Sequence, residues 1–195
     1  MRFKKCILIL GVALLSAALL GIVFVHSAAI YAQANAADIQ KKIEEAIRLR
    51  DKEKDISGAM KLFKEVLAEQ PNNVGVLVFL AEMYMNSGDL DSALKSADSA
   101  LSVTPSNAFA LRVKGDLLIQ QSKYKEAEEV LNKAIASSTP KSSDHALAYF
   151  GLTKLYLKQG EKVKAKASLE KAIEDDPNNA FFKQQMKTVE SPDVK

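Results

Sequence analysis

The sequence predicts an all-α solenoid of helical hairpins, and two observations carry that prediction. Alanine, leucine, lysine and glutamate dominate, tryptophan is absent, and 195 residues contain only 8 glycines and 5 prolines, a helix-forming composition. Second, one phrase returns along the chain: an alanine-studded amphipathic run closed by a proline. Stepping back 34 residues from Pro105 reaches Pro71, and stepping forward 35 reaches Pro140, with Pro177 closing a further copy. A chain built of such copies stacks neighbours to bury a core that no single helix pair could bury.

The first segment stands apart from the copies. Arg2, Lys4 and Lys5 precede an uncharged run from Cys6 to Val25, 20 residues long. A helix of that length, at about 1.5 Å per residue, spans a bilayer. Small residues follow, with two A-x-A sites at Ala32–Ala34 and Ala34–Ala36. Residues 1–34 therefore predict a secretory signal peptide cleaved near Ala34, or a retained anchor formed by residues 6–25. Both readings stay open, and both put the remainder on the exported side by the positive-inside preference. A lipoprotein signal is not indicated, because Cys6 precedes the apolar run. Cys6 is also the single cysteine, so no intramolecular disulfide can form.

The body, 35–195, contains the copies. The prolines close four phrases with matching small and bulky positions: Ala59/Phe63/Val66, Ala93/Ala97/Ala100, Ala127/Leu131/Ala134 and Ala165/Leu169/Ala172. A second helix precedes each. Its stripe reads Leu77, Leu80, Ala81 and Tyr84 in one unit, Leu111, Lys114, Gly115 and Leu118 in the next, and Tyr149, Leu152, Thr153 and Tyr156 in the last. The first unit, with Ile43, Ala46, Ile47 and Arg50, is weaker. These spacings place apolar residues along one helix face. Gly88 and Gly160 stand where a left-handed turn should end the first helix of a pair. The repeats are expected near 40–73, 74–107, 108–141 and 146–179, the fourth delayed by an insert, Lys141 to His145. A closing helix is expected at 180–190, with Phe181 and Met186 covering the last repeat.

This period and this pattern of large, small and aromatic positions resemble the tetratricopeptide repeat family. The resemblance runs from Gln40 to about Asn178. It implies paired helices whose first members line a groove that holds a peptide or helix of another protein. Chaperone-binding members hold a terminal carboxylate with a clamp of Lys, Asn and Arg. The matching places here carry Val78, Glu82, Val113 and Phe109, or Glu44, Arg48 and Phe79, so that clamp is absent.

Charge and chemistry narrow the function further. The net charge is +3, and three of the 27 basic residues belong to the first segment. The body is thus balanced, which argues against a basic nucleic-acid-binding stripe. His26 and His145 have no Cys, His or carboxylate at ligand spacing, and His145 beside Asp144 reads as a surface pair at a helix start. The acidic run Glu174 to Asp176 reads as a solvated helix end. No phosphate-cradling glycine loop or nucleophile elbow occurs, so neither enzyme chemistry, cofactor nor metal is expected.

What remains is a binding surface. With the core stripe removed, the first helices offer Val78, Glu82 and Met85, then Phe109, Arg112, Asp116 and Ile119, then Phe150, Lys154 and Leu157. The first unit offers Lys41, Glu44 and Arg48. This semi-apolar floor suits an apolar helix or strand of a partner better than a charged tail. The expected function is a non-catalytic scaffold of the cell envelope. A self-assembling homo-oligomer and an accessory subunit of an envelope enzyme are its alternatives.

Overall fold

The computed structural model describes residues 33–190. Residues 1–32 of the leader, including the 6–25 run, lie outside the described residues. Among those described there are nine helices and no strand. They are α1 (33–48), α2 (Ile56–Glu69), α3 (Val74–Ser87), α4 (Leu90–Val103), α5 (Ala108–Gln120), α6 (Tyr124–Ser137), α7 (Ser143–Lys158), α8 (Lys162–Asp175) and α9 (Ala180–Glu190). None of them is long and apolar enough to cross a membrane. Helices α3, α5 and α7 each pack on the next even one, and these three successive odd helices also touch. The result is a solenoid of hairpins, all-α throughout the described residues.

The punctuation of the repeat has a local physical cause. A residue before proline is pushed out of the helical region. Gln70, Thr104 and Asp176, each preceding a proline, share φ near −130° and ψ near 80° and end α2, α4 and α8. Two residues after each proline stands a side chain that caps the next helix. Asn73, Asn107, Ser142 and Asn179 accept from the backbone N–H of Val76, Ala110, His145 and Phe182. Helices α3, α5 and α7 are followed by a left-handed residue: Gly88 at φ 84°, Ser122 at φ 60° and Gly160 at φ 75°. Part of the Lys141–His145 insert is helix, because Ser142 caps α7 and lengthens it to 16 residues.

The small positions let helices approach closely. Ala59, Ala93, Ala97, Ala100, Ala127, Ala134, Ala165 and Ala172 are all fully buried. Leu131 of α6 wedges between two glycines, Gly115 on α5 and Gly151 on α7. A methyl group on either would lie 2.6 Å from its Cδ2. Gly151, two residues before the expected small position Thr153, makes this approach possible.

The two ends differ from expectation. The last turn of α1 widens to a π-helix, Leu49–Glu53, and Lys54 follows in the left-handed region. At the other end Phe182 and Val189 of α9 are buried against Ala146, Leu169 and Ala172, and Met186 packs partly against them. Phe181, expected to seal the repeat, is 50% exposed instead. The helix turns Phe182 inward because its i, i+7 partner Val189 shares that face.

Candidate partner-binding groove

The solenoid superimposes equivalent positions of successive odd helices, and three of the resulting rows define a site. With Gly88, Ser122 and Gly160 in register, Glu82, Asp116 and Lys154 form one row. Met85, Ile119 and Leu157 form the next, and Asn86, Gln120 and Lys158 the third. Residues three and four apart lie on one helix face, so the rows lie side by side. The structure brings Asp116 and Lys154 together with the second and third rows around a cleft of about 590 Å³. Met85, Ile119 and Leu157 are its apolar members, and Leu157 is 40% exposed.

A chain of opposite charges crosses the groove floor. On α5, Arg112 donates from Nη1 to Asp116 Oδ2 at 3.2 Å, and from Nη2 to Glu82 Oε1 of α3 at 3.3 Å. From α7, Lys154 Nζ stands 2.5 Å from Asp116 Oδ1. That contact is an ion pair; Asp116 Oδ1 and Arg112 Nε make no hydrogen bond. Arg112 and Asp116 are only 8% and 5% exposed, which requires this mutual neutralisation, since a lone buried charge is costly. The Arg112 guanidinium also lies 4.5 Å from the centre of the Phe109 ring. The π turn after α1 carries Arg50 to the same floor, 4.7 Å from the centre of the Phe79 ring, which itself stacks on Phe63.

The remaining expected residues fall into different settings. Val78 is 3% exposed and belongs to the core, bordering a smaller cleft of about 290 Å³ with Phe79 and Phe109. Phe150 is half-buried against Phe181 and Phe182, with ring centres 5.2 and 5.4 Å away, and so joins the seal formed with α9. Lys41, Glu44 and Arg48 of α1 are exposed, and Arg48 pairs with Glu45 and Glu53. Asn86, Gln120, Lys158 and Arg50 were absent from the sequence-derived set. The register of the rows would have found the first three; the π turn that delivers Arg50 has no comparable signal.

His145 does not pair with Asp144. Its Nδ1 lies 2.5 Å from Asp175 Oδ2 at the end of α8, and its ring meets Tyr149 edge-on. Asp175 Oδ1 also accepts from the Lys141 backbone N–H. The acidic run is thus part of a clasp between the insert and α8. Among the described residues no group of three or more His, Cys, Asp or Glu could hold a metal ion.

A family model described as tetratricopeptide repeat matches residues 52–117 and 118–184, more than half of the chain. The chain belongs to the tetratricopeptide repeat family, whose members are protein–protein interaction modules and typically non-catalytic scaffolds. A TPR repeat-containing protein of Methanocaldococcus jannaschii, MJ1428, is 30% identical over 123 residues. That match covers 63% of this chain but 21% of the archaeal protein, so the chain spans about a fifth of its relative's length. The crystal structure of MamA protein is similar with a TM-score of 0.57 at 27% identity, covering 77% of this chain and 80% of that one. Pseudomonas aeruginosa pilF shares the fold, with a TM-score of 0.68 at 18% identity over 80% of this chain and 69% of the other.

Proposed function

We propose that this protein is a non-catalytic scaffold that holds a segment of another protein in the groove along α3, α5 and α7. The observation that carries the reading is the three-row cleft. It gathers aliphatic side chains from three successive hairpins beside a floor of paired charges, and it stays open to solvent. A folded chain covers such a surface unless the surface serves a partner. The groove residues are Glu82, Met85, Asp116, Ile119, Lys154 and Leu157, bordered by Val78, Phe109, Arg112 and Phe150.

The setting belongs to the same proposal. The leader, residues 1–34, acts as a signal peptide or membrane anchor, and the repeat domain, 35–195, works outside the cytoplasm in the cell envelope. The basic start and uncharged 20-residue run support that placement.

Leu157→Asp tests the groove. The side chain is exposed enough for the substitution to leave the fold intact, and circular dichroism checks that it does. Affinity capture from envelope extracts should then lose the partner that the parent protein retains. Unchanged capture by a folded Leu157→Asp protein would contradict the groove reading.

A further inference from the structure

The charges around the cleft indicate what chemistry its occupant carries. The floor and rim hold Arg50, Arg112, Lys154 and Lys158 against Glu82, Asp116 and Asp51, the last paired with Arg50. One cation is in excess there, although the body as a whole is balanced. The acids are already engaged: Asp116 faces Arg112 and Lys154, Glu82 faces Arg112, and Asp51 faces Arg50. Lys158 is exposed at the rim, one turn beyond Lys154 on α7, and has no ion-pair partner among the described residues. Beside it lie the aliphatic side chains of Met85, Ile119 and Leu157.

We propose that the occupant of this cleft is an acidic segment of a partner protein. It sets an aliphatic side chain among Met85, Ile119 and Leu157 and a side-chain carboxylate, within one turn of that anchor, on Lys158. This rests on the groove reading above and adds the partner's chemistry to it. A basic segment would meet Lys158 and Lys154 with like charge, which costs affinity and slows encounter. A chain-terminal carboxylate needs donors converging from several helices, whereas Lys158 is a single donor and Lys154 is held by Asp116. An interior carboxylate, carried past the open rim, matches one lysine.

The test uses the full chain with isotope-labelled methyl groups on Met85, Ile119 and Leu157, titrated with short peptides blocked at both ends. Each peptide carries a leucine pair flanked by glutamates, glutamines or lysines. The glutamate peptide should shift the three methyl signals and bind about 2- to 5-fold tighter than the glutamine peptide, as expected of a rim ion pair. The lysine peptide should bind weakest, and Lys158→Glu should invert the order of the glutamate and lysine peptides. Added salt should erase the difference. Equal binding of all three peptides at these methyls, or an unchanged order in Lys158→Glu, overturns the acidic assignment while leaving the groove in place. Shifts confined to other methyls would overturn both readings, and no shift with any peptide overturns the acidic assignment. A glutamine peptide with a free C-terminus that matched the glutamate peptide would replace the interior carboxylate with a terminal one.

Discussion

Gly151 shows how a single missing methyl group sets the spacing of two hairpins. The Leu131 side chain fills the space that a Cβ on Gly115 or Gly151 would need. Gly151→Ala should therefore destabilise the protein by about 1–3 kcal/mol through overpacking, measured by urea unfolding. In a Leu131→Ala background the same substitution should cost much less, because the clashing atoms are gone; full additivity would refute the wedge. Tyr156 offers a second test. Its hydroxyl donates to Glu128 Oε1 at 2.6 Å, and burial, followed by that carboxylate, pushes its pKa up to about 12. The folded state then holds a proton that the unfolded chain releases near pH 10. Tyr156 contributes stability that is complete below about pH 10 and falls away as pH rises toward 12. Tyr156→Phe should flatten that part of an alkaline stability profile, and an unchanged slope would count against it. Residue-level partnerships were the least legible in the sequence. Apolar spacing marks a face but not which of two neighbours turns inward, so Phe181 and Phe182 read alike, and Phe182 is the one buried. The His145–Asp175 contact joins residues 30 positions apart and leaves no local trace.

At the scale of the element, helix starts decide how well each hairpin is defined. Asp55 and Asp89 cap α2 and α4, accepting from the backbone N–H of Gly58 and Ser92. The equivalent position before α6 is Lys123, which makes no side-chain cap. Lys123→Asp should therefore add about 0.5–1 kcal/mol, read as a higher thermal midpoint, while a lower midpoint would show that another contact of Lys123 matters more. The closing helix gives a paired prediction. Phe182→Ala empties a fully buried site and should cost about 3–5 kcal/mol, whereas Phe181→Ala, at a half-exposed site, should cost less than about 1 kcal/mol. Equal costs would mean that both rings seal the last hairpin. Existence and type of the elements were readable because the prolines, the capping side chains after them and the left-handed turns repeat with the period. The π turn was not, since no glycine or proline marks Leu49–Glu53.

For the molecule as a whole, the solenoid turns sequence period into spatial rows. A position that recurs at repeat spacing becomes a stripe across the groove, which is why most of the cleft could be read from the chain before its geometry was known. What the sequence concealed was depth. Arg112 and Asp116 are charged residues in the groove set, yet they sink below the surface by neutralising each other together with Glu82 and Lys154. The accessible contact surface is therefore narrower than the sequence suggested and is carried by Met85 and Leu157, with Ile119, only 6% exposed, at its base.

The central claim is that partner binding occurs on this face. It is tested most directly by photo-crosslinking in intact cells from two exposed positions, Leu157 in the cleft and Val163 on α8, which is 85% exposed. The account predicts adducts to one other envelope protein from Leu157 and none to that protein from Val163. Adducts to that protein from Val163 alone would contradict the account, and adducts only to further copies of this chain from Leu157 would make the groove a self-assembly surface.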